Sequence, residues 1–462
     1  MAIPNRNTIV ALSSAIGEGA IALIRLSGPQ AIDIIDPIFI GKKLSTAQSH
    51  TLHYGKIIYQ DEMIDEVVVG IYKAPHSYTG ETCVEITCHA SSFIIQKILD
   101  LCVQQGAVLA KPGEFTQRAF INGKLDLSQA EAVVDIIASE NESQHRLAFQ
   151  QMRGGYSTII KELRQELIDF AALLELELDF SEEDVEFANR EKFLMLIQKT
   201  LDVISRLVDS FQLGNVIKKG IPVAIIGKPN VGKSTLLNTL LHEEKAIVSD
   251  IPGTTRDFIE DTLKINGIMY RFIDTAGLRA TEDQVEHQGI ERSYEKMKQA
   301  SLVLYLCEAN QTLEDIVALV NQLEIQANQQ LIVVLTKADQ MQNFCTAYDV
   351  EEAVSTLTKK TCIAISAKDH KHIDQLIKLI EKKMAMENQQ HEMIVSNARH
   401  VEALSLAQKS LHIVKEGLQT NQSGEFIAID LRAALHALGS ITGEITNEDV
   451  LSSVFSRFCI GK

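Results

Sequence analysis

Residues 227–234 read Gly-Lys-Pro-Asn-Val-Gly-Lys-Ser and match the pattern G-x-x-x-x-G-K-[ST]. An apolar run at 223–226 precedes them directly, so the pattern stands between an expected strand and an expected helix, as its chemistry requires. The glycines let backbone N–H groups close around phosphate oxygens, Lys233 brings a positive charge to the β- and γ-phosphates, and Ser234 offers a hydroxyl to Mg2+. The segment predicts a phosphate-binding loop, and by itself it leaves an adenine nucleotide open as the ligand.

Four further motifs follow this loop in order: Gly-Thr-Thr-Arg at 253–256, Asp-Thr-Ala-Gly at 274–277, Thr-Lys-Ala-Asp at 336–339 and Ser-Ala-Lys at 366–368. A threonine hydroxyl in a mobile loop can bind Mg2+ only while a γ-phosphate holds the loop, Asp274 can reach Mg2+ through water, and the Gly277 N–H can bond the γ-phosphate. Asp339 can accept hydrogen bonds from N1–H and the exocyclic amine of guanine, whereas adenine presents the opposite polarity. The order of the motifs resembles that of the translation-factor-related GTPases and predicts a GTP site.

One residue departs from the common form of these motifs, because Thr336 stands where the guanine-reading motif usually has asparagine. A threonine keeps one hydrogen bond but not the geometry of an amide, so weaker nucleotide binding is expected, with guanine preference still resting on Asp339. The residues predicted to bind GTP are Asn230, Val231, Gly232, Lys233, Ser234, Thr235, Ser249, Asp250, Ile251, Pro252, Gly253, Thr254, Thr255, Asp274, Thr275, Ala276, Gly277, Thr336, Lys337, Asp339, Ser366, Ala367 and Lys368.

Hydrolysis needs a group that orders water, and Leu278 stands where a Ras-like GTPase has glutamine for that purpose. Lys233 and two further residues are candidates for catalysis: Asn230 can help to hold a monovalent cation beside the phosphates, and Glu286 can reach an attacking water. The plainer interpretation is that Asn230 only stabilises the loop and Glu286 is a solvated charge. Arg256 and Arg279 also lie near the predicted nucleotide motifs in the sequence, and the simplest interpretation of each is an ordinary surface arginine.

Length and charge limit the classes of protein that this chain can belong to. Its 462 residues suggest about three domains. The formal net charge of -17, with 45% hydrophobic and 23% charged residues, excludes a wholly disordered chain and an overall basic coat for nucleic acid. Seven cysteines without metal-finger spacing fit a reducing compartment, and no signal peptide or long apolar span is evident. We expect a cytoplasmic protein without a membrane segment.

The pattern of apolar residues predicts three kinds of domain. Short β-rich runs at 8–12, 20–26, 66–72 and 83–88, with helices at 31–39 and 93–103, indicate an α+β domain. A capping box of Ser128 and Glu131 is expected to open a helix, and an apolar stripe at Ile160, Leu163, Leu167, Phe170 and Leu174 predicts another. Helical patterns continue at 192–211, after an acidic break at 181–186, and at 397–418, 426–438 and 447–458. Between the helical patterns at 192–211 and 397–418, from 221 to about 383, strands alternate with helices.

The fold class is therefore a multidomain α/β protein in which a doubly wound P-loop GTPase domain interrupts a helical-bundle domain. The expected domains are an N-terminal α+β domain at 1–122, the first part of the helical domain at 123–216, the inserted GTPase domain at 217–383, and the second part of the helical domain at 384–462.

Three motifs outside the phosphate loop carry a family resemblance. They are Pro-Gly-Glu-Phe-Thr with Arg-Ala-Phe and Asn-Gly-Lys-Leu-Asp-Leu within 112–127, Asp-Ile-Pro-Gly-Thr-Thr-Arg-Asp at 250–257, and the ending Phe-Cys-Ile-Gly-Lys at 458–462. With these the chain resembles the MnmE (TrmE) family of tRNA-modification GTPases over essentially its full length. The resemblance implies a homodimer formed through a folate-binding N-terminal domain, and a heterotetramer with the MnmG-type partner, which uses FAD and NADH.

The resemblance also implies the reaction and its cofactors. The complex would add an aminomethyl or carboxymethylaminomethyl group to carbon 5 of the wobble uridine in certain tRNAs. A tetrahydrofolate derivative, in the 5-formyl or methylene form, would donate one carbon. Hydrolysis of GTP with Mg2+ would be stimulated by K+, with the GTPase domains facing each other.

By matched motif, the resemblance implies these site residues: Arg25, Glu85, Lys124 and Lys462 for folate; Asn230, Ser249, Ile251 and Thr254 for K+; Ser234 and Thr255 for Mg2+; and Glu286 as the general base or water-orienting group. A folate carries a glutamate tail and a pterin with a guanine-like edge, so cations and a carboxylate suit it. The plainer interpretation places Arg25 on an edge strand and Glu85 in an ordinary cross-strand ion pair. Cys459 is open between a role in the chemistry and a buried packing thiol.

Departures from the family and two other functions complete the expectations. Cys88-His89 is followed by Ala90-Ser91-Ser92 where the family usually has paired glycines, and Ser249 stands where threonine is common.

Two other functions are alternatives. A ribosome-assembly GTPase would usually add a basic RNA-binding module, and the net charge gives no sign of one. A dynamin-like GTPase would need a basic amphipathic helix with exposed aromatic residues, and the chain has no tryptophan.

Overall fold

The computed structural model describes residues 7–15, 17, 19–179, 189–244, 262–265, 268–273, 297–326, 329–341, 344–384, 393–420, 422–446 and 448–461. The chain divides into two compact units. The first consists of Met1–Ser139, Ala148–Val208 and Ala398–Lys462, and the second of Glu140–Leu147 and Asp209–Asn397. The second unit is therefore inserted within the sequence of the first.

The strands, in chain order, are β1 Ile9–Leu12, β2 Ile21–Ser27, β3 Phe39–Ile40, β4 Thr51–Tyr59, β5 Glu62–Tyr72, β6 Cys83–His89, β7 Val108–Leu109, β8 Ile221–Gly227, β9 Thr262–Ile265, β10 Ile268–Phe272, β11 Leu302–Glu308, β12 Gln330–Thr336 and β13 Thr361–Ala364. The helices are α1 Ala31–Ile35, α2 Ser92–Gln104, α3 Glu114–Ile121, α4 Leu127–Ile137, α5 Glu142–Met152, α6 Gly155–Asp179, α7 Arg190–Asp209, α8 Phe211–Lys219, α9 Lys233–Glu244, α10 Leu313–Asn321, α11 Phe344–Thr358, α12 Ile373–Met384, α13 Ala398–Gln419, α14 Gly424–Thr442 and α15 Glu448–Phe455.

The first unit contains a seven-stranded sheet in the order β3-β4-β5-β6-β2-β1-β7, antiparallel except for the β1–β7 pair. Side chains alternate between its faces, and one face packs against α1 and α2 through buried residues such as Ile24, Val69 and Ile86. The four strands and the α2 helix expected from the sequence are confirmed with small shifts in their bounds. The sheet face opposite this core is the one that carries Arg25 and Glu85.

The predicted helix at 31–39 is wrong in its second half. The helix α1 ends at Ile35, a 3-10 turn follows at Asp36–Ile38, and Phe39–Ile40 form an edge strand. The physical reason is Pro37, which has no N–H to continue an α-helical ladder. Phe39 and the β-branched Ile40 then pair with β4 instead.

The predicted capping box of Ser128 and Glu131 is also wrong. The helix α4 starts two residues earlier, with Asp126 as N-cap and Gln129 as its reciprocal partner. A carboxylate is at least as good an N-cap as a hydroxyl, so the D-x-x-Q box forms and the S-x-x-E box does not. Ser128 donates to Asp126, which leaves Glu131 available for partners on other helices.

Helices make up the rest of the first unit, and the predicted stripe on α6 is confirmed. Four of its five residues are buried, and Phe170 is half-buried, stacked on Phe193 of α7 with ring centroids 4.8 Å apart. The helix α14 packs against both α6 and α13. The helices expected at 397–418, 426–438 and 447–458 are confirmed as α13, α14 and α15, whereas the one at 192–211 ends at Asp209. The acidic break at 181–186 lies outside the described residues.

The second unit is built on a six-stranded sheet in the order β13-β12-β11-β8-β10-β9. All neighbours are parallel except β9, which pairs antiparallel with β10 at the edge. Both faces carry buried side chains, as expected for a sheet covered by helices on both sides. The predicted doubly wound arrangement is confirmed, with the antiparallel β9–β10 edge as an addition. Among the helices that the structure describes, none is both long enough and apolar enough to cross a membrane.

Candidate functional site

The predicted phosphate loop lies between the carboxyl end of β8 and the start of α9. Two glycines have conformations that other residues rarely adopt: Gly227 has a φ of 154°, and Gly232 has a φ of 97°. A Cβ on Gly227 would lie 2.6 Å from the Leu306 carbonyl oxygen, so this position also lacks space for a side chain. Asn230 has a φ of 61°, a conformation that asparagine tolerates better than most residues. The backbone of the loop therefore curves around the N-terminus of α9 in conformations that glycine and asparagine tolerate.

Lys233 folds back over this loop. Its Nζ donates to the carbonyl oxygens of Gly227 and Lys228, at 2.8 Å in each case. Burial lowers the pKa of Lys233, since the ammonium loses contact with solvent. The first residue of α9 is thus a cation positioned at a helix N-terminus, where an anion gains from both the charge and the helix dipole.

The two predicted base-reading motifs lie side by side at the ends of neighbouring strands. Asp339 follows β12 and Ser366 follows β13, and the Ser366 hydroxyl donates to Asp339 Oδ1 at 2.8 Å. Ser366 and Lys371 exchange two backbone hydrogen bonds, which closes 366–371 into a narrow hairpin. Ala367 accepts a hydrogen bond from Thr239 of α9, at 3.2 Å. Because the strands are parallel, these motifs and the phosphate loop meet at one edge of the sheet.

Thr336 connects the base-reading motif to the phosphate loop. The residue is buried, and its hydroxyl donates to the Val231 carbonyl oxygen at 2.6 Å, with the Cys307 carbonyl oxygen at 3.2 Å. The next residue, Lys337, has a left-handed φ of 57° and forms an ion pair with Glu308. The departure from asparagine therefore leaves a hydroxyl that joins the base-reading motif to the phosphate loop, and the prediction that Asp339 recognises guanine stays a prediction.

Several predicted nucleotide and metal residues lie outside the described part of the chain. Ser234, one of the predicted Mg2+ residues, is exposed on the first turn of α9. Asn230, one of the predicted K+ residues, is exposed in the phosphate loop. Val231 is buried, Thr235 and Lys368 are exposed, and the rest of the described set lies at the same sheet edge. The predicted residues outside the described ranges are Ser249, Asp250, Ile251, Pro252, Gly253, Thr254, Thr255, Asp274, Thr275, Ala276, Gly277 and Glu286.

The predicted folate residues Arg25 and Glu85 are direct neighbours on β2 and β6. The guanidinium contacts Glu85 Oε1 through both Nε and Nη2, at 2.8 Å. The Arg25 guanidinium carbon also lies 5.3 Å from the ring centre of Tyr78 and 5.8 Å from that of Phe115. The cross-strand ion pair is thus confirmed, but the edge-strand interpretation is wrong, because β2 pairs on both sides.

Small residues flank this ion pair in the same row of the sheet. Ala11 lies opposite Arg25 on β1, and Gly70 lies opposite Glu85 on β5. Tyr72 extends over Gly70, since a Cβ built there would lie 3.3 Å from the Tyr72 ring. Burial and the Glu85 charge raise the pKa of Tyr72. A charged pair beside aromatic side chains suits a planar polar ring. Sequence reasoning missed these aromatic residues, because the register of the strands and the packing of α3 together bring them to Arg25.

The remaining predicted folate residues lie near loops and the chain end. Lys124 is exposed, and its Nζ donates to the Pro75 carbonyl oxygen at 3.2 Å. Lys462 lies outside the described residues, but Gly461 is buried against β1, where its carbonyl oxygen accepts a hydrogen bond from Ser13 Oγ at 2.9 Å. Gly461 therefore lies beside the strand that neighbours Arg25. Cys459 is an exposed free thiol, so its interpretation as a buried packing residue is wrong.

Two family descriptions together match nearly the whole chain. The description "GTP-binding protein TrmE N-terminus" matches residues 8–124, and "MnmE helical domain" matches residues 127–459. The chain belongs to the MnmE family.

Relatives of the MnmE family match over nearly the whole chain. The protein of Bacteroides thetaiotaomicron named tRNA modification GTPase MnmE is 49% identical over 470 residues, covering 99% of this chain and 100% of the relative. The protein of the same name from Cytophaga hutchinsonii is 50% identical, covering 99% and 98%. Among solved structures, Aquifex aeolicus Era bound to GDP.AlF4- is 26% identical and covers 41% of this chain and 66% of its own, with a TM-score of 0.29.

One departure from the MnmE pattern has a clear structural setting. Where the family usually has paired glycines, Ala90 and Ser91 lead from β6 into α2, and Ser91 is the N-cap residue. The preceding His89 is fixed by the buried Asp65, which accepts hydrogen bonds from the His89 backbone N–H at 2.8 Å and lies 2.7 Å from its Nδ1. The substitution therefore falls at a helix start whose preceding residue is held in place.

Proposed function

We propose that this MnmE-family chain is a GTPase that acts in the modification of the wobble uridine of certain tRNAs. The single observation that carries the proposal is the meeting of the phosphate loop, Asp339 and Ser366 at one sheet edge in the second unit. A triphosphate placed on Lys233 and the α9 N-terminus would have its base within the reach of a carboxylate that selects guanine. The relatives with near-complete coverage, which carry the name tRNA modification GTPase, support the same activity.

Magnesium and potassium would act on the phosphates. We propose Ser234 and Thr255 as the residues that would hold Mg2+, which would neutralise charge on the phosphates. The K+ site would comprise Asn230 with Ser249, Ile251 and Thr254, and the cation would offset charge that develops in the transition state. Glu286 would then orient the attacking water, since Leu278 cannot.

The first unit would bind the tetrahydrofolate derivative that donates one carbon. The pterin ring presents a guanine-like edge, which Glu85 can accept, and the glutamate tail carries carboxylates that suit Arg25, Lys124 and Lys462. Support comes from the aromatic residues around the Arg25–Glu85 pair and from the position of Gly461 beside β1. The exposed Cys459 precedes Gly461 by two residues, and its role in the chemistry stays a proposal.

A homodimer through the first unit and a complex with an MnmG-type protein complete the proposal. The sheet face that carries Arg25 also exposes large apolar side chains, with Ile21 67%, Leu52 71% and Tyr54 65% exposed. An apolar sheet face of this kind is typical of a surface that another protein covers. A second copy of the chain fits it, and the FAD and NADH chemistry would reside on the other partner.

The folate proposal predicts a large effect of Arg25→Met. Loss of a charged hydrogen-bonding partner costs about 1.5–3 kcal/mol, so binding of 5-formyltetrahydrofolate should weaken by about tenfold to a hundredfold in calorimetric titration. Lys56→Met is the matched control, because Lys56 forms an exposed ion pair with Glu66 on the same sheet, at 3.6 Å. Its affinity should equal that of the unaltered protein. Equal affinity of the Arg25 variant, with an unchanged melting temperature, would contradict the assignment.

A further inference from the structure

The first turn of α13 is held by four side chains, Glu131, Arg399, His400 and Tyr156, which we call the Glu131 network. Glu131 lies on α4 and accepts hydrogen bonds from Arg399 Nε and Nη2, at 2.9 Å on each carboxylate oxygen. His400 Nε2 lies 2.5 Å from the same carboxylate, and its Nδ1 contacts the hydroxyl of Tyr156 on α6. His400 and Tyr156 are only 1% and 2% exposed. One carboxylate therefore joins three helices.

The charges of the Glu131 network favour a single arrangement. Burial alone would raise the pKa of Glu131, but the facing His400 and Arg399 lower it to about 2. Burial also raises the pKa of Tyr156, so its hydroxyl stays protonated and can donate to His400 Nδ1 while Nε2–H donates to Glu131. Displacing any one member would leave a buried polar group without its partner. The network therefore resists gradual deformation.

Arg399 extends the network to a fourth helix. Its Nη1 donates to the Ser440 carbonyl oxygen at 2.6 Å and its Nη2 to that of Ile441 at 3.2 Å, in the last turn of α14. These carbonyls have no partner within their own helix, so the guanidinium satisfies the end of α14. The start of α13 and the end of α14 are thus fixed to the same point on α4.

The place of Arg399 and His400 in the sequence gives the network its significance. The second unit ends at Asn397, and α13 begins at Ala398. These two residues are therefore among the first that the chain reaches after leaving the unit that carries the phosphate loop. A displacement of the chain at this exit acts on the Glu131 network before it acts on the rest of α13.

The start of α4, about one helical turn before Glu131, leads to the predicted folate residues. Its N-cap, Asp126, is fixed to α6 by Lys161 at 2.7 Å, and it follows Lys124 by two residues. The apolar face of α4 packs through Leu127 and its neighbours against Phe455 and the adjoining C-terminal residues, which continue to the buried Gly461. Since a helix rises 1.5 Å per residue, Glu131 lies only about 7–8 Å along the axis from Asp126.

We propose that Glu131 is a positioning residue that couples the nucleotide state of the second unit to folate binding in the first. Held by Arg399 and His400, α4 transmits a displacement of the α13 start to Lys124 and to the C-terminal tail. Packed helices and hydrogen-bonded networks with discrete arrangements carry such coupling. The inference rests on the proposed function, because it takes GTP and folate as the ligands of the two units.

The test measures the coupling itself in the full-length protein. 5-Formyltetrahydrofolate is titrated by calorimetry in potassium buffer, without nucleotide and with GDP plus aluminium fluoride. For the unaltered protein, the ratio of the two affinities should lie in the range of roughly 5- to 150-fold that allosteric coupling usually gives. For Glu131→Gln the ratio should fall to within about twofold of one. Folate affinity without nucleotide, and the rate of GTP hydrolysis, should stay near their original values.

A matched control separates coupling from a general effect on the helices. Glu166→Gln breaks an exposed ion pair with Lys199, 3.0 Å long, in the same unit, and should keep the original ratio. If Glu131→Gln does not fold, Arg399→Lys keeps the charge but loses the paired hydrogen bonds, and should lower the ratio likewise. An unchanged ratio in the folded variant, or a ratio of one in the unaltered protein, overturns the inference while leaving the proposed function in place. Failure of the unaltered protein to bind either ligand contradicts both.

Discussion

The rate of GTP hydrolysis by the purified protein is expected to fall by about a hundredfold when sodium replaces potassium at equal ionic strength. This change in rate is smaller than the roughly 10³–10⁵-fold increase that an arginine finger supplies in other GTPases. Leu278 cannot orient water as glutamine does, so charge that develops on the phosphates has to be offset by another group. A potassium ion beside the phosphate loop is the proposed group. Steady-state phosphate release in the two salts measures the effect, and equal rates would contradict the cation mechanism.

The contribution of Asn230 to this effect can be isolated from its backbone role. Asn230 has a left-handed φ of 61°, which glycine adopts freely and alanine does not. Asn230→Gly therefore removes the amide and keeps the loop conformation, so it should hydrolyse GTP slowly in both salts and bind it normally.

Glu286→Ala should abolish hydrolysis while nucleotide binding persists, and a variant that retains the potassium-stimulated rate would remove Glu286 from the mechanism.

The second large effect concerns the choice of base. Asp339→Asn should weaken GTP binding by about 10³-fold, because two hydrogen bonds to a charged acceptor are lost at about 1.5–3 kcal/mol each. Xanthosine triphosphate carries a carbonyl where guanine carries its amine, so an asparagine amide can donate to it, and its affinity should rise. Competition titration against a fluorescent nucleotide measures both changes.

Thr336→Val supplies the matched control for the change of base. The variant removes the hydroxyl that donates to the Val231 carbonyl oxygen and leaves Asp339 and Ser366 in place. Loss of one such bond costs about 0.5–1.5 kcal/mol or somewhat more when an acceptor is left buried, so binding of both triphosphates should weaken by about tenfold alike. A variant of Asp339 that still prefers GTP would contradict the assignment of guanine recognition to this carboxylate.

The described part of the proposed nucleotide site was predictable because its motifs are continuous in sequence and lie at strand ends. Apolar runs fixed the strands, and the parallel order of the sheet then brought Lys233, Asp339 and Ser366 together. The role of Thr336 was only partly predictable. Its spacing marked it as a departure, but only the fold shows that its hydroxyl holds the phosphate loop.

The first unit was harder to predict because its contacts join distant residues. Tyr78 and Phe115 reach Arg25 through the register of β2 and the packing of α3, which no local pattern encodes. The capping box failed for a different reason, since two boxes compete within six residues and the one that begins with Asp126 forms. Once Asp126 holds the start of α4, Glu131 is free to pair with Arg399 and His400 across more than 260 residues.

The most direct measurement is mass-spectrometric nucleoside analysis of tRNA from cells that lack this protein and carry either the unaltered chain or Lys233→Ala. The lysine variant loses the cation that we propose to hold the triphosphate, so GTP hydrolysis should stop, while the Arg25–Glu85 pair in the first unit is unaltered. We predict that the unaltered chain restores the aminomethyl or carboxymethylaminomethyl group at carbon 5 of the wobble uridine and that the variant does not. Full modification in the cells that lack the protein, or in those that carry only the variant, would contradict the account.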